Sequence, residues 1–325
     1  MSEALAFESR SIACAEGQIA VRCYGDASDP PLLLIHGLAL TIEDWSPSFI
    51  TALVAAGRWV LAIDNRDVGQ SSRWADHPAP GPLLAWIMAR LPIPRWLKPA
   101  IPYAIADMAQ DAIAVLDALE IRDCDILGVS MGGMIAQRMA LLVPDRIRTL
   151  SLIMTSSNGP RLPLPDAAVR KLMAKPPRTR DLDALEAYMQ RVRQLIAAPR
   201  DDADKVELSQ RVTRATSYGY PPQEGSKRQL AAIVSDARRW RQLGSIETSA
   251  LVIHGDFDPL LPLAHGRDLA QRLGNARLLV IPEMAHELLP SNQGAVLAEL
   301  RTHFEADQAR RTMASSAVGL LSVAT

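Results

Sequence analysis

The run from Cys124 to Ala136 constrains the fold of this chain more than any other stretch. It begins as a short apolar strand and continues, after a turn, as a helix to about Leu142. The turn holds Gly128-Val129-Ser130-Met131-Gly132, a G-x-S-x-G pattern. A serine at a sharp strand-to-helix turn has a strained backbone, and side chains at the flanking positions would clash there. The pattern therefore predicts that Ser130 presents its hydroxyl at the end of a strand, as a candidate nucleophile.

A serine hydroxyl is a weak nucleophile at neutral pH and needs a histidine base, which in turn needs a group that orients it. The chain has six histidines. We predict that His286 is the base, because it follows the last predicted strand in a loop at the same edge of the sheet as Ser130. The other five fit packing or loop-shaping roles better; they are His36, His77, His254, His265 and His303.

Two aspartates after the preceding strand could orient the base, Asp256 and Asp258. Asp258 precedes Pro259, which can start a helix, whereas Asp256 lies closer to the strand, where a carboxylate more often braces the turn. We predict that Asp258 is the orienting carboxylate. The resulting chain order of serine, aspartate and histidine is one of three known orders for this constellation.

Two backbone N–H groups are expected to bind the negative oxygen that forms when a serine attacks a carbonyl group. One should come from Met131, the residue after the nucleophile, and the other from Leu38, in the loop after the His36-Gly37 strand end. Both are main-chain donors, so the side chains at these positions matter little for this role.

Strands and helices alternate along most of the sequence. The apolar run Leu32-Leu33-Leu34-Ile35 is typical of a strand buried on both faces of a parallel sheet. The alternation predicts an α/β fold, with a mostly parallel central sheet and helices on both of its faces. Ligands of such sheets bind beyond the carboxyl ends of the strands, which is where the predicted polar groups lie.

The alternation is interrupted at residues 155–243, which are charged, marked by prolines and helical in pattern. We call these residues the inserted segment and expect them to form a helical cap. The predicted organisation is then a first core part at 1–154, the cap at 155–243, a second core part at 244–309 and a poorly ordered tail at 310–325.

Residues 78–103 are unusual, because seven prolines punctuate an apolar stretch there. The plainer interpretation is that this stretch packs against the cap. The alternatives are a second flap at the substrate entrance or a patch that touches a lipid surface.

Composition excludes several classes of function. The chain has 325 residues, is 48% hydrophobic and carries a net charge of −1, which argues against a nucleic-acid surface and against polybasic attachment to membranes. The three cysteines, Cys14, Cys23 and Cys124, predict neither a disulfide framework nor a zinc site. With no secretory signal and no run of about 20 apolar residues, we expect a cytoplasmic protein without a membrane span. Oligomeric state has no signature in the sequence.

Taken together, the motifs resemble those of the α/β-hydrolase superfamily, and more narrowly the group typified by aclacinomycin methylesterase. That family's fold, its serine triad and ester hydrolysis without a metal or organic cofactor are what the resemblance implies. The motifs fall in the expected order over nearly the whole chain: His36-Gly37, Glu43-Asp44-Trp45, Asp64-Asn65-Arg66-Asp67-x-Gly69-x-Ser71, Gly128-x-Ser130-Met131-Gly132-Gly133, Tyr218-Gly219-Tyr220-Pro221-Pro222-x-x-Gly225-x-x-Arg228-Gln229-Leu230, Gly255-x-x-Asp258 and His286.

The hypothesis that follows is a carboxylic ester hydrolase acting on a small hydrophobic ester, such as a methyl ester of an aromatic acid. A carbon–carbon bond hydrolase would use the same triad and remains an alternative, and a ligand receptor with a vestigial triad is a third. Ser130 at the elbow disfavours an aspartate-nucleophile epoxide hydrolase or dehalogenase. Candidate substrate contacts are His36, Gly37, Trp86, Tyr218 and Tyr220.

Overall fold

The computed structural model of this chain describes residues 5–80, 101–173, 181–219 and 223–322. Eight strands in the described residues form one sheet. They are β1 (Phe7–Cys14), β2 (Gly17–Tyr24), β3 (Pro31–Ile35), β4 (Trp59–Ile63), β5 (Cys124–Val129), β6 (Ile147–Ile153), β7 (Ser249–Gly255) and β8 (Ala276–Ile281). Their order in the sheet is β1-β2-β4-β3-β5-β6-β7-β8. The first two strands pair antiparallel with their neighbours, and the other six run parallel.

Nine α-helices lie within the described residues. They are α1 (Pro47–Ala55), α2 (Ile105–Ala118), α3 (Met131–Leu142), α4 (Ala167–Met173), α5 (Leu182–Ala197), α6 (Asp202–Gly219), α7 (Gln223–Ser235), α8 (Ala264–Arg272) and α9 (Pro290–Ser322). Short 3₁₀ turns occur at Ile42–Asp44, Pro144–Arg146, Arg239–Arg241 and Leu243–Ser245. The predicted fold class is confirmed.

Successive side chains of β3 point to opposite faces of the sheet, and each face has its own apolar core. Leu33 and Ile35 pack with residues of α2, α3 and α8 on one face. Leu32 and Leu34 pack with residues of α1 and α9 on the other. Because helices cover both faces, β3 and β4 are apolar along their whole length rather than alternating with polar residues.

The parallel strands end at one edge of the sheet, and the polar motifs of the sequence gather there. His36 follows β3, Asp64 follows β4 and Ser130 follows β5. The loop after β7 carries Asp258, and the loop after β8 carries His286. Residues that are far apart in the chain are therefore brought to a common edge by the sheet topology.

The inserted segment lies between β6 and β7, and its described part contains α4 to α7. This agrees with its predicted helical character. The described ends of the proline-rich stretch, 78–80 and 101–103, contain no helix or strand, and its remainder at 81–100 lies outside the described residues.

The C-terminal stretch from Arg310, for which the sequence predicts a poorly ordered end, continues as helix α9 to Ser322. No proline interrupts this stretch, and Arg311 forms an ion pair with Asp307 one helical turn earlier, at 2.7 Å. Arg311 also reaches Asp123 at 3.3 Å, which ties this end of the helix to the core.

Within the described ranges, none of the helices is both long enough and apolar enough to cross a membrane.

Candidate active site

The turn that carries Ser130 has the strained geometry that its glycines predict. Ser130 lies between β5 and α3 with φ 53° and ψ −116°, a region that residues other than glycine rarely adopt. A Cβ at position 132 would lie 2.0 Å from the carbonyl oxygen of Ile35, and one at position 128 would lie 2.5 Å from that of Gly132. Glycine is therefore required at both positions.

Two hydrogen bonds hold the backbone of this turn against β6. The N–H of Ser130 donates to the carbonyl of Ile153 at 3.0 Å, and the hydroxyl of Thr155 donates to the carbonyl of Ser130 at 2.5 Å. The strained conformation is thus supported by the neighbouring strand and by the residues that follow it.

The imidazole of His286 bridges the hydroxyl of Ser130 and the carboxylate of Asp258. Its Nε2 lies 3.1 Å from Oγ of Ser130, and its Nδ1 lies 2.6 Å from Oδ2 of Asp258. Both His286 and Asp258 are buried. The other carboxylate oxygen of Asp258 accepts hydrogen bonds from the N–H groups of Leu260 and Leu261, at 2.9 and 2.8 Å. These bonds hold the carboxylate in the orientation that meets the histidine.

Asp256, the alternative carboxylate, and His254, near the end of β7, form their shortest hydrogen bonds with backbone groups. Asp256 is exposed, and its Oδ1 accepts a hydrogen bond from the N–H of Glu283 at 2.6 Å, so it braces two loops against each other. His254 is fully buried and its Nε2 donates to the carbonyl of Leu261 at 2.7 Å. Its Nε2 is also 3.5 Å from Oδ2 of Asp258.

The pKa values of Asp258 and His286 are shifted in opposite directions, so the carboxylate stays charged beside a more basic histidine. Burial alone would raise the pKa of Asp258, but the charge of His286 and the hydrogen bonds from His254 and His286 outweigh it and lower the pKa below its ordinary value. Burial alone would lower the pKa of His286, but the charge and hydrogen bond of Asp258 outweigh it and raise the pKa. The imidazole is therefore a stronger base than a free histidine.

The two predicted oxyanion donors belong to the start of α3 and to the loop after β3. Met131 is the first residue of α3, where backbone N–H groups have no partner inside the helix. Leu38 follows Gly37, and a Cβ on Gly37 would lie 3.3 Å from Cβ of Ser130. Neither the N–H of Met131 nor that of Leu38 donates to an acceptor in the part of the chain that the structure describes.

His36 has contacts that shape the loop before Leu38. The N–H of Gly37 donates to its Nδ1 at 2.9 Å, and its ring lies against Trp45 with a centroid distance of 4.3 Å. Burial lowers the pKa of His36 to about 3, so the ring is neutral and carries its proton on Nε2. The carbonyl of His36 accepts a hydrogen bond from Asn65 at 3.1 Å.

Of the aromatic candidates for substrate contact, Tyr218 is described, whereas Trp86 and Tyr220 lie outside the described residues. The hydroxyl of Tyr218 donates to Asp64 at 3.0 Å, and its ring lies 4.8 Å from the guanidinium of Arg22. Burial raises the pKa of Asp64 to about 6. These contacts join α6 to the edge of the core, and among the described contacts of Tyr218 none is with Ser130 or His286.

The sequence did not reveal how the histidine loop is held. The N–H of His286 donates to the carbonyl of Ile196 in α5, at 2.8 Å. The next residue, Glu287, accepts a hydrogen bond from Arg211 of α6 at 2.7 Å and lies 3.6 Å from Arg193 of α5. Arg193 also binds Asp44, near the Leu38 loop. The sequence feature that could have indicated these contacts is the charged residue Glu287 directly after the candidate base.

Within the described residues, no group of three or more histidine, cysteine, aspartate or glutamate side chains is arranged so that it could hold a metal ion.

The arrangement of Ser130, His286 and Asp258 can support transfer of a proton from the serine hydroxyl to the histidine, with the carboxylate stabilising the resulting imidazolium.

A model of the α/β hydrolase fold family matches residues 30–293 of the sequence. The chain belongs to this family. Rhodomycin D methylesterase DauP of Streptomyces sp. (strain C5) is 30% identical over 287 residues, which cover 81% of this α/β-hydrolase and 87% of that protein. The resemblance to methylesterases of this fold that the motifs indicate is thereby confirmed.

Two further comparisons extend the range of related chemistry and structure. The 2-hydroxymuconate semialdehyde hydrolase of Pseudomonas putida is 30% identical over 265 residues, covering 79% of this α/β-hydrolase and 80% of that enzyme. Among solved structures, the enol-lactonase from Burkholderia xenovorans LB400 matches with a TM-score of 0.69 at 22% identity, covering 91% of this chain and 100% of that one. The structural match concerns the fold.

Proposed function

We propose that this α/β-hydrolase cleaves carboxylic esters through an acyl-enzyme, with Ser130 as nucleophile, His286 as base and Asp258 as the group that orients the base. The observation that carries the proposal is the continuous series of hydrogen bonds, 2.6 Å from Asp258 to His286 and 3.1 Å from His286 to Ser130. A nucleophile, a base and an orienting group in series are what activates a serine hydroxyl. The 30% identity to a methylesterase supports an ester as the substrate.

In the first half of the reaction, Oγ of Ser130 attacks the ester carbonyl carbon while Nε2 of His286 takes the hydroxyl proton. The carbonyl oxygen becomes an oxyanion, which accepts hydrogen bonds from the N–H groups of Leu38 and Met131. Asp258 stabilises the imidazolium and holds it in the productive orientation. The carbon–oxygen bond to the alcohol then breaks, and the alcohol leaves with the proton from His286.

The second half releases the acid. A water molecule loses its proton to Nε2 of His286 and attacks the carbonyl carbon of the acyl-enzyme. The second oxyanion uses the same two donors. When it collapses, the bond to Oγ of Ser130 breaks and the serine regains its proton from His286. These steps require no metal ion and no organic cofactor.

The proposed substrate is a small-alcohol ester of a hydrophobic or aromatic acid. The inserted segment is proposed to act as the cap that selects the acid, since its α5 contacts the histidine loop through the bond from His286 to Ile196. The net charge of −1 supports an uncharged substrate, because the protein has no strong overall field to attract an ion.

The test is turnover of a short-chain chromogenic ester by Ser130→Ala. We expect a loss of about 10⁴-fold or more in kcat without loss of the fold, because a triad member is removed. Ser156→Ala is the matched control: Oγ of Ser156 also lies 2.8 Å from a histidine, His265, but both are buried and Nε2 of His265 is bonded to a backbone carbonyl. Turnover retained by Ser130→Ala would reject the proposal.

A second candidate is hydrolysis of a carbon–carbon bond in a vinylogous diketone, which the 30% identity to 2-hydroxymuconate semialdehyde hydrolase favours. The same three residues would serve it. Parallel assays with methyl esters of graded acid size and with a vinylogous diketone separate the two candidates. A kcat/KM for the diketone above that for every ester would select carbon–carbon hydrolysis. Tight binding of an ester with no turnover above the spontaneous rate would indicate a receptor instead.

A further inference from the structure

One buried amide joins the inserted segment to the loop that carries Leu38. Gln229 lies in α7 and is fully buried. Its Oε1 accepts a hydrogen bond from the N–H of Ala39 at 2.8 Å, and its Nε2 donates to the carbonyl of Arg66 at 2.8 Å. The side chain therefore bridges two loops of the core, those that follow β3 and β4.

The loop that Gln229 contacts is a tight turn. The N–H of Leu40 donates to the carbonyl of Gly37 at 3.3 Å, so residues 37–40 form a β-turn with Leu38 and Ala39 at its centre. Ala39 has φ 60°, in the left-handed region. A turn with positive φ at its third residue favours glycine there, and alanine prefers the alternative turn in which the central peptide is rotated.

The central peptide of this turn joins Leu38 to Ala39, and Gln229 binds its N–H. We propose that Gln229 is a positioning residue that holds this turn in its strained conformation and so keeps the loop that carries the Leu38 N–H in place. This inference rests on the proposed function, in which the Leu38 N–H binds the oxyanion. It implies that the oxyanion site is complete when α7 is docked on the core.

Docking of α7 has an anchor that does not involve Gln229. The adjacent Arg228 donates from Nε and Nη2 to the two carboxylate oxygens of Asp67, at 2.8 and 2.7 Å. Both side chains are buried. The role that distinguishes Gln229 from a general docking contact is its bond to the strained turn.

The test compares Gln229→Met with a matched control, Gln70→Met. Gln70 also joins the core to the inserted segment, since its Nε2 donates to the carbonyl of Tyr218 at 2.8 Å, but it is exposed. We expect Gln229→Met to lower kcat about 10- to 100-fold with KM changed less than about 2-fold, because an oxyanion donor acts on the transition state. Gln70→Met should leave both parameters near those of the parent protein.

A second substitution distinguishes positioning from packing. Glycine adopts positive φ without strain, so adding Ala39→Gly to Gln229→Met should restore at least part of the lost kcat. A packing defect at Gln229 would not be repaired from position 39. If Gln229→Met does not fold, Gln229→Asn replaces it, since the shorter amide cannot span both partners and should show the same loss and the same rescue.

Deuterium exchange in a peptide covering residues 37–40 gives a readout independent of turnover, and faster exchange in Gln229→Met is expected. A kcat for Gln229→Met equal to that of Gln70→Met, or a loss that Ala39→Gly leaves unchanged, overturns the inference. Ser130→Ala is run in the same assay. If it abolishes turnover while Gln229→Met has no effect, the positioning role alone fails; if it retains turnover, the proposed function fails and the inference with it.

Discussion

Arg211 donates a hydrogen bond from Nη1 to Oε2 of Glu287 at 2.7 Å, and both side chains are buried. Arg211 belongs to α6 of the inserted segment, whereas Glu287 directly follows the proposed base in the core. A second bond from Arg211 reaches the carbonyl of Leu288 at 2.8 Å. The inserted segment therefore holds the histidine loop through a buried charge pair as well as through main-chain contacts.

Removing this guanidinium should destabilise the protein strongly. Arg211→Met leaves the carboxylate of Glu287 buried without its nearest cation, and breaking a buried pair in this way costs about 3–5 kcal/mol. We expect a matching decrease in the free energy of unfolding, measured by urea denaturation. Arg214→Met is the control on the same helix, since Arg214 pairs with Glu207 at 3.1 Å but is partly exposed, and such pairs contribute below about 1 kcal/mol. Equal losses for the two variants would contradict this expectation.

The raised pKa of His286 predicts the acid limb of the pH profile. The base must be neutral to accept a proton, so kcat/KM should fall as the pH decreases through the pKa of His286, with a midpoint above the ordinary histidine value of 6.5. Asp258→Asn removes the charge that raises this pKa and leaves burial, which lowers it. The midpoint should therefore move to lower pH while kcat falls by about 10⁴-fold.

The matched control for this profile is Asp256→Asn, because Asp256 is exposed and bonds to the N–H of Glu283 rather than to a histidine. Its midpoint should remain that of the parent protein. The measurement is kcat/KM of a neutral ester between about pH 5 and 9. A midpoint that stays in place in Asp258→Asn, or one that moves equally in Asp256→Asn, would count against the assigned roles.

Gly132, two residues after the candidate nucleophile, should not tolerate even a methyl side chain. In Gly132→Ala the new Cβ would meet the carbonyl oxygen of Ile35 at 2.0 Å, so β3 or the start of α3 would have to move. We expect loss of activity together with a decrease in Tm of about 5 °C or more, since a clash of this kind costs several kcal/mol. Each kcal/mol lowers Tm by about 1.5 °C in a chain of this size.

Gly294→Ala provides the comparison for Gly132→Ala. Gly294 lies in α9, is exposed, and a Cβ there would have no neighbour within 4 Å. Alanine is favoured over glycine inside a helix by about 1 kcal/mol, so this variant should melt slightly above the parent protein. A Tm of Gly132→Ala equal to that of the parent protein would refute the steric argument.

The sequence was most informative where local pattern and topology act together. The apolar run Leu32–Ile35 predicted a strand buried on both faces, and the run from Cys124 predicted a strand before the Ser130 turn. The structure contains them as β3 and β5 with nearly the same bounds. Ser130, Asp258 and His286 were expected at loops after strands, and parallel strands bring such loops to one edge. Their contacts in the structure follow from that arrangement.

The contacts through which the inserted segment holds the loops of the site could not be predicted from the sequence in this way. Ala39 and Gln229 are 190 residues apart, and helical periodicity shows which face of a helix is apolar but not which distant polar group that face meets. Arg211 could equally have been assigned to a solvated surface. The helical end of α9 beyond Arg310 was missed for a different reason, since ion pairs such as that between Arg311 and Asp123 depend on the packed core.

Gln229 has a consequence for engineering this enzyme family. Exchanging the helices of the inserted segment for those of another hydrolase would remove Gln229 from the turn that it contacts. The replacement for the inserted segment would have to place an amide at the position of Gln229, or the turn at residues 37–40 would have to carry Ala39→Gly. Chimaeras lacking both are expected to fold and bind, yet turn over slowly.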